Sequence, residues 1–515
     1  MILAGLQALL WLLGAVVLVT LASWSAYRSY RRFARQARGP AVLALAPAEP
    51  ATLLDTQFAP LEAAHPGQSG LANLLDNPKA FAARALSATA AGRSLDLMYY
   101  IWRTDITGWL LLADLLAAAD RGVRIRLLLD DVNVQGFDPV FLALNQHPNI
   151  AVRLFNPTRN RGHVIRRVLE MLLGLTRFNR RMHGKLWIAD GRLAIIGGRN
   201  VADSYFGALE GGARDAQDAD VMLAGPKVAE VSAVFDSYWN LGLALPILTL
   251  WPRFRVNMHR FRRRLGRHAN SAISQRFRGL ALNGRSAVSL HDGMRWSDKV
   301  QVLADPPDKA YGQRSGPWMS DAIAALLAGA EHEVRLITPY FVPGDTGLNL
   351  LGEHIARGVR VSLLTNALSA TDHVMVHAAY RHYRSPLLAA GADIHEFAPP
   401  PAAAGKRAVL HSKVFIVDGR QAIVGSPNFD LRSALTNTEL GLQFEQPDLV
   451  AELLQRFDQL CAPDKAYALA LNGGALRWSV LRPGLPVLLH IEPEAGRLKR
   501  AVSWLVGHLP IHHYL

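Results

Sequence analysis

Two stretches of the chain carry the same nine-residue pattern of histidine, lysine and aspartate. Residues 183–191 and 411–419 both read His-x-Lys-x-x-x-x-Asp-Gly. An asparagine follows each histidine at the same offset of 17 residues, Asn200 after His183 and Asn428 after His411. Since alternate residues of a β-strand point to one face, the pattern predicts that the His and Lys of each copy project together. The apolar residues that follow are typical of a buried strand, and Asp-Gly predicts a turn.

Two copies of this pattern can place two imidazoles and two ammonium groups in one pocket. Such a pocket suits a phosphodiester, because the lysines offset its charge while one histidine attacks phosphorus and the other protonates the leaving oxygen. The candidates for contacts with the phosphoryl oxygens are Lys185, Lys413, Asn200, Asn428 and Ser426. A single His-x-Lys is usually part of an ordinary core strand with a solvated lysine. The repetition, with matching asparagines, favours chemistry over that interpretation.

The paired motif resembles the HKD signature of the phospholipase D superfamily, and its context is similar to bacterial cardiolipin synthases of the C-type branch. The resemblance extends over roughly residues 60–515 and is carried by four further stretches, residues 96–102, 121–131, 340–343 and 437–439. It implies an α/β fold in which two similar phospholipase D-like domains share one central active site. Each domain is expected to contain a mixed or parallel sheet flanked by helices, and an N-terminal transmembrane helix completes the expected architecture.

The resemblance also implies a double displacement through a phospho-histidine. On this basis we expect His183 to be the nucleophile and His411 to be the general acid and base, and the reverse assignment stays open. A downstream carboxylate is expected to orient each histidine. Glu439 matches that position for His411, and Asp220 is similar to the equivalent residue for His183.

The aspartates of the two motifs, Asp190 and Asp418, belong to the catalytic signature of the family. Their position at the end of a strand favours a structural role in the turn over direct catalysis. No tight cluster of metal-ligating residues stands out in the sequence, and the chemistry requires no metal. We therefore expect neither a metal nor another cofactor.

Composition and charge narrow the class of protein. Of the 515 residues, 50% are hydrophobic and only 19% are charged, which excludes a disordered chain and allows two domains with sizeable cores. A single cysteine, Cys461, excludes an intramolecular disulfide framework and a cysteine-based zinc site. The net charge of +14 is concentrated in arginine clusters at residues 28–38, 159–181 and 253–267. Such clusters fit nucleic acid or an anionic membrane surface, and the apolar residues among them favour the membrane.

The N-terminus predicts a membrane anchor. Residues 1–27 contain no charged side chain, and Ile2 to Trp24 is long and apolar enough to cross a bilayer. A secretory signal peptide would have a basic start and a cleavage site with small residues, which this segment lacks. The arginines that follow predict, by the positive-inside rule, a bacterial inner-membrane anchor with its catalytic part in the cytoplasm.

A repeat larger than the motif predicts the domain organisation. The strand–helix–strand order of residues 94–129 recurs at residues 334–364, and Arg-Gly-Val-Arg occurs at both 121–124 and 357–360. The predicted parts are an anchor (1–27), a basic flank and linker (28–59), a first domain (60–250), a basic inter-domain segment (251–284), a second domain (285–470) and a C-terminal extension that is a candidate for membrane association (471–515).

Three basic and apolar segments lie at residues 162–181, 241–267 and 501–510. Each is either a membrane-interface surface or an ordinary core helix capped by solvated arginines. Composition favours the membrane interpretation for the first two segments.

The leading functional hypothesis is a membrane-anchored phosphatidyltransferase. It would make cardiolipin from phosphatidylglycerol and a second phospholipid, either phosphatidylglycerol or phosphatidylethanolamine. The alternatives are a phospholipase D that releases phosphatidic acid, a nuclease of the same superfamily, and a non-catalytic membrane tether. Phospholipid substrates and the membrane are the expected partners, nucleic acid is not, and the sequence identifies no protein partner.

Overall fold

The computed structural model of the chain describes residues 2–208, 215–252, 254–283, 289–313, 316–401, 407–481 and 488–508. The first half contains the helices α1 (Ile2–Ala37), α2 (Leu53–Ala64), α3 (Asn77–Ala90), α4 (Ile106–Asp120), α5 (Asp131–Val134), α6 (Asp138–Leu144), α7 (Val164–Leu173), α8 (Leu175–Phe178), α9 (Asp203–Phe206), α10 (Lys227–Trp239), α11 (Ile247–Leu250), α12 (Met258–Ala269) and α13 (Ala272–Asn283). Its strands are β1 (Ser69–Leu74), β2 (Ser94–Tyr99), β3 (Arg124–Asp130), β4 (Ile150–Phe155), β5 (Leu186–Ala189), β6 (Leu193–Gly197), β7 (Ala216–Gln217), β8 (Asp220–Ala224), β9 (Ala244–Pro246) and β10 (Arg295–Ser297).

The second half contains the helices α14 (Met319–Ala328), α15 (Gly344–Ala356), α16 (Val374–Ala390), α17 (Leu431–Leu435), α18 (Pro447–Leu460) and α19 (Arg497–Gly507), together with a 3-10 helix at Pro307–Tyr311. Its strands are β11 (Val300–Ala304), β12 (Glu333–Ile337), β13 (Phe341–Val342), β14 (Arg360–Asn366), β15 (Asp393–Phe397), β16 (Val409–Leu410), β17 (Val414–Val417), β18 (Gln421–Gly425), β19 (Phe429–Asp430), β20 (Leu440–Phe444), β21 (Ala466–Asn472), β22 (Ala475–Ser479) and β23 (Leu488–Leu489).

Two mixed sheets dominate the fold, and they share one strand order. The first runs β10-β1-β8-β6-β5-β2-β3-β4-β9, and the second runs β11-β20-β18-β17-β12-β14-β15-β21-β22-β23. Seven consecutive strands of the first sheet, from β1 to β4, therefore correspond in order to those from β11 to β15 in the second. In both, the strand after the motif histidine pairs antiparallel with the first strand of the strand–helix–strand unit, whose two strands are parallel. The predicted α/β class with two similar, mixed sheets is confirmed.

The hydrophobic core joins the two halves. One cluster of buried side chains includes Met98 and Leu186 from the first half and Val424 and Leu440 from the second. A smaller cluster fills the space around α14, α15 and α16 in the second half. The parts of the two sheets that face each other are thus buried together, which leaves little freedom for one half to move against the other.

Helix α1 begins as an isolated apolar rod and ends packed on the protein. Its first turns expose side chains such as Trp11, which is 78% accessible, whereas Tyr30, Ala34 and Ala37 are buried against the first half. Within the described residues, α1 is the helix that is long and apolar enough to cross a membrane. The apolar N-terminal helix that the sequence predicts is therefore present.

The basic and apolar segments fall into two structural classes. Helix α7 has no buried residue and exposes Val164, Ile165 and Leu172, as a membrane-interface surface would. Between residues 241 and 251, by contrast, Leu245 and Ile247 are fully buried, because β9 joins the edge of the first sheet. The membrane-interface interpretation of that stretch was wrong.

The C-terminal extension is attached to the second half. Helix α19 packs on α16 and exposes Leu498, Trp504 and Leu505. Residues 509–515 of this extension lie outside the described residues.

Candidate active site

The two His-x-Lys segments lie just before strands β5 and β17, in extended chain rather than within the strands. Each is held by backbone hydrogen bonds to the opposite half. The amides of His183 and Gly184 donate to the carbonyl oxygen of Thr438, and those of His411 and Ser412 donate to that of Gln217. The prediction that the repeated motif meets in one place therefore holds in the fold, and the contact is reciprocal.

The carboxyl ends of the parallel strands also position the histidines. Asp130, at the end of β3, accepts a hydrogen bond from the amide of Met182 at 3.2 Å. Asn366, at the end of β14, exchanges two hydrogen bonds of 2.9 Å with the backbone of Leu410. In each half, a polar side chain from the end of a central strand thus fixes the residue that precedes the histidine. Polar residues at this edge of a parallel sheet commonly build sites.

The carboxylate partners of the histidines cross between the halves. Nδ1 of His183 lies 2.8 Å from Oε2 of Glu439, and Nδ1 of His411 lies 2.6 Å from Oδ2 of Asp218. The expected pairs, Glu439 with His411 and Asp220 with His183, were wrong. The pairs differ from the prediction because each motif segment binds to the other half. The segment of His183 binds to the chain just before β20, and the segment of His411 binds to the chain just before β8.

Asp220 has a structural role instead. It is fully buried, and its Oδ2 accepts a hydrogen bond from Arg84 at 2.9 Å while Oδ1 accepts one from the amide of Arg199. Arg199 in turn donates to the carbonyl oxygen of Asp218 at 2.7 Å. This buried ion cluster supports the loop that carries Asp218.

Ser426 and its counterpart Gly198 fit the two carboxylates in different ways. Ser426 is fully buried, and its Oγ donates to Oε2 of Glu439 at 2.5 Å. The prediction that this hydroxyl contacts a phosphoryl oxygen was therefore wrong. A Cβ added at Gly198 would lie 2.1 Å from Oδ1 of Asp218. Glycine is therefore required in the first half to make room for the carboxylate that serves His411.

The motif aspartates lie at the far end of strands β5 and β17, where each accepts hydrogen bonds from backbone amides. Asp190 accepts hydrogen bonds from the amides of Gly92, Arg93 and Ser94, at 2.7–2.9 Å. Asp418 accepts equivalent bonds from the amides of residues 331–333. Both have φ of 53°, in the left-handed region. Their place in the catalytic set is corrected to that of turn anchors, as their position at the strand end favours.

The lysines line the same pocket. Nζ of Lys185 donates to the carbonyl oxygen of His183 at 2.5 Å, and Nζ of Lys413 lies 2.9 Å from Nδ1 of His411. Burial is the main cause that lowers the pKa of Lys185 to about 7 and that of Lys413 to about 8. A bound anion would raise both pKa values and so favour the charged, ammonium form of each lysine.

The asparagines of the repeat differ in how they are engaged. Asn200 accepts a hydrogen bond from the amide of Ile101 at 3.0 Å and donates to the hydroxyl of Tyr205 at 3.1 Å. That leaves one N–H of its amide for a substrate. The side-chain oxygen of Asn428 is buried without a hydrogen-bond partner among the described residues.

Two tyrosines pack against the imidazoles. The ring of Tyr100 meets that of His183 edge to face at 5.0 Å, and Tyr205 meets His411 in the same way and at the same distance. The hydroxyl of Tyr205 lies 3.5 Å from Nε2 of His411. Neither tyrosine is among the site residues predicted from the sequence, where the signal for Tyr205 is its position five residues after Asn200.

The electrostatics of the two histidine–carboxylate pairs differ. Burial and the neighbouring lysines lower the pKa of both histidines, that of His183 well below its ordinary value. Burial raises the pKa of Glu439, whereas the charges of His411 and Lys413 outweigh burial and lower that of Asp218. Because Asp218 keeps its charge more readily, its partner His411 is the imidazole better supported as a cation.

A second buried charge cluster lies outside this pocket. His377, Glu396 and Glu492 are close enough to hold a metal ion, yet Arg384 already donates to both carboxylates, at 2.9 and 2.6 Å. Since Glu492 belongs to the C-terminal extension, this ion cluster ties the extension to α16. His377 was not placed in the predicted catalytic set.

Comparison with known proteins identifies the family. The profile described as "Cardiolipin synthase, PLD-like domain" matches residues 87–239 and 323–461. Cardiolipin synthase C of Escherichia coli K12 is 36% identical over 472 residues, which cover 88% of this chain and 98% of that protein. Cardiolipin synthase A of Pectobacterium carotovorum is 26% identical, over 70% of this chain and 63% of its own length.

A solved structure shares the fold at low sequence identity. The crystal structure of phosphatidylserine synthase from Haemophilus influenzae aligns with 78% of this chain and 87% of its own, with a TM-score of 0.52 and 15% identity. It supports the arrangement of two similar α/β units. The match to the family profile and the similarity to Cardiolipin synthase C over 88% of this chain agree with the duplicated His-x-Lys motif. The chain belongs to the cardiolipin synthase family of the phospholipase D superfamily.

Proposed function

We propose that the protein is a membrane-anchored phosphatidyltransferase that joins two phospholipids into cardiolipin. The observation that carries the proposal is the pair of buried imidazoles, each hydrogen-bonded through Nδ1 to a carboxylate of the other half. That bond directs Nε2 of each ring into the pocket between the lysines. One nitrogen can attack phosphorus while the other handles the proton, and the ammonium groups stabilise the charge that develops.

The first step forms the phospho-enzyme. Nε2 of His183 attacks the phosphorus of a phospholipid and forms a P–N bond, while the P–O bond to the headgroup alcohol breaks. The N–H at Nε2 of His411 protonates that alcohol, which is glycerol from phosphatidylglycerol or ethanolamine from phosphatidylethanolamine. The charged Asp218 beside His411 supports this assignment, because it stabilises the imidazolium that must donate.

The second step releases the product. The terminal hydroxyl of a phosphatidylglycerol gives its proton to Nε2 of His411 and its oxygen attacks phosphorus. The P–N bond to His183 breaks, and the new phosphodiester is cardiolipin. Lys185, Lys413, Asn200 and Asn428 are the proposed contacts of the phosphoryl oxygens. Water in place of the second lipid would yield phosphatidic acid.

Lipid analysis of a single reaction tests the proposal. Purified full-length protein is incubated with phosphatidylglycerol vesicles, with and without phosphatidylethanolamine, and the lipids are separated. We expect cardiolipin with release of glycerol, and release of ethanolamine if the second lipid is used. Phosphatidic acid as the main product would identify a hydrolase, and unchanged lipids would contradict both enzyme assignments.

The lowered lysine pKa values predict an alkaline limb in kcat/KM. A lysine whose pKa lies near 7 or 8 loses its charge as the pH rises through that value, so the free enzyme binds the phosphodiester less well from about pH 7 upward. The expected fall is about tenfold per pH unit in this range. Bound substrate raises both pKa values, so the limb in kcat lies at higher pH. An arginine in Lys185→Arg keeps its charge and should move the start of the alkaline limb from about pH 7 to about pH 8, where Lys413 titrates. An unchanged limb would show that it belongs to another group.

We propose that the catalytic part faces the cytoplasm of a bacterial inner membrane. The arginine-rich end of α1 supports this orientation by the positive-inside rule. An alkaline phosphatase fused after residue 45 should be inactive in cells, whereas a periplasmic, active fusion would reverse the topology.

A further inference from the structure

A basic cavity lies where helix α1 meets the first half of the protein. Its volume is about 400 Å³, and it is lined by the last turns of α1, by the segment 176–180 and by Tyr311 of the 3-10 helix. None of the proposed catalytic or phosphate-binding residues lines it. The cavity is therefore separate from the pocket between the two histidines.

Arginines dominate the wall of this cavity. Its lining contains Arg31, Arg35, Arg38, Arg177 and Arg180 and no aspartate or glutamate. Arg31 and Arg35 form no ion pair with any residue that the structure describes, and Arg38 and Arg180 donate only to backbone carbonyl oxygens. Arg177 differs from these four, because its guanidinium lies 3.5 Å from a carboxylate oxygen of Glu170. Four guanidinium groups without a carboxylate partner around one concave space fit an anionic ligand with several oxygens, such as a phosphate.

A buried hydroxyl points to a missing polar partner in the same place. Tyr30 is 4% accessible, and its hydroxyl has no hydrogen-bond partner among the described residues. The guanidinium of Arg177 lies over its ring, 3.4 Å from the centroid, and is itself buried. A buried hydroxyl without a partner is costly, and an oxygen of a bound ligand would satisfy it.

A second cavity of about 580 Å³ adjoins the first and shares Tyr27, Tyr30, Thr176 and Arg177 with it. It is lined on one side by Trp24 and Thr20 of α1 and on the other by Leu169 and Leu173 of α7, and its wall also contains the charged side chains of Arg159, Arg166 and Glu170. These residues lead from the arginines towards the apolar, exposed turns of α1. The combined space thus has arginines along both cavities and meets the exposed, apolar turns of α1 at one end, which suits an anionic amphiphile rather than a soluble ion.

We propose that the two cavities together bind one anionic phospholipid outside the catalytic pocket. Its headgroup phosphate lies among the arginines and accepts a hydrogen bond from Tyr30. Its glycerol and the first carbons of its acyl chains lie between α1 and α7. The bound lipid joins the anchor helix to the segment that continues through Arg181 to His183.

Photolabelling of the full-length protein tests this proposal without relying on turnover. The probe is phosphatidic acid with a diazirine near the start of one acyl chain, since this lipid has no headgroup alcohol to transfer. In phosphatidylcholine nanodiscs, labelled peptides should map to residues 20–30 and 169–173. A phosphatidylcholine probe with the same chain measures background labelling by surrounding lipid.

A matched pair of variants separates the cavity from general membrane charge. Arg31→Gln with Arg35→Gln removes two cavity arginines, and Arg28→Gln with Arg32→Gln removes two exposed arginines of the same helix that do not line it. The first pair should raise the probe concentration for half-maximal labelling about thirtyfold, and the second should change it little. Equal labelling of the two double variants would overturn the proposal.

Competition distinguishes a lipid from a soluble anion. Unlabelled phosphatidic acid should suppress labelling at low mole fractions, whereas inorganic phosphate and glycerol 3-phosphate at millimolar concentration should not. Suppression by inorganic phosphate as strong as that by the lipid would overturn the lipid assignment. A failure of the proposed enzymatic activity would leave this result unaffected, because the readout is binding alone.

Discussion

Replacement of either His183 or His411 by alanine is expected to reduce cardiolipin formation at least about 10⁴-fold. The reason differs between the two. His183→Ala removes the nitrogen that forms the bond to phosphorus, and His411→Ala removes the group that protonates the leaving alcohol. Thermal unfolding is measured for both variants, because each loses a largely buried ring and leaves Glu439 or Asp218 without its histidine partner. His259→Ala, at an exposed position of α12, is the control and should keep full activity.

A substrate with an activated leaving group separates the two roles. A phosphatidyl ester of p-nitrophenol needs no proton donor to depart, so His411→Ala should still release one equivalent of nitrophenol in a burst. His183→Ala should release none. A burst from His183→Ala that is absent from His411→Ala would reverse the roles, and a burst from both would remove the two-histidine mechanism.

The second large effect concerns Glu439 and Asp218, the carboxylates that each bind the histidine of the other half. Glu439→Gln and Asp218→Asn should each lower kcat by about 10²- to 10⁴-fold, because each loses the acceptor that fixes a histidine tautomer and supports its charge. With the activated substrate, Glu439→Gln should slow the burst, since it acts on the nucleophile His183. Asp218→Asn should leave the burst nearly intact. Pairing within each half would give the opposite result for Glu439→Gln.

Asp220→Asn provides the matched comparison two residues away. Its carboxylate is fully buried between Arg84 and Arg199, so its loss leaves uncompensated charge and should lower the free energy of unfolding by about 3–5 kcal/mol. Asp218→Asn should lower stability less and activity more. A catalytic defect in Asp220→Asn without loss of stability would restore the original pairing.

The chemistry of the site is predicted from the sequence by a motif that is local. His183, Lys185, His411 and Lys413 sit at fixed spacings that survive any arrangement of the two halves. The parallel pairing of β2 with β3 and of β12 with β14 likewise follows from the repeated strand–helix–strand unit, since parallel strands require a crossover. Features that depend on one continuous stretch of chain, such as the motif spacing and the strand–helix–strand unit, could be predicted.

The partners of the histidines could not be predicted in this way. Asp218 and Asp220 have the same type and nearly the same offset, and only the docking of β7 beside β16 decides which of them meets His411. Sequence comparison within each half assigned Glu439 to His411, because it could not show that Met182 bridges to Thr438 across the halves. Contacts between two similar domains depend on their relative placement, which the repeat leaves open.

Burial likewise separated segments of similar composition. Residues 162–181 and 241–251 both combine apolar side chains with neighbouring arginines. Strand β9 pairs at the edge of the first sheet, which buries Leu245. Helix α7 contacts α1, and its apolar side chains remain exposed. Long-range packing, which composition does not encode, decided between core and membrane surface.

The proposed mechanism requires a covalent intermediate at His183. Wild-type protein mixed with phosphatidylglycerol can be quenched with denaturant at alkaline pH within one turnover, digested and examined by mass spectrometry. We expect a phosphatidyl group on the peptide that contains His183, and we expect it to be absent from His183→Ala and from peptides that contain His411. A phosphatidyl group on His411, or turnover to cardiolipin by His183→Ala, would contradict the proposed mechanism.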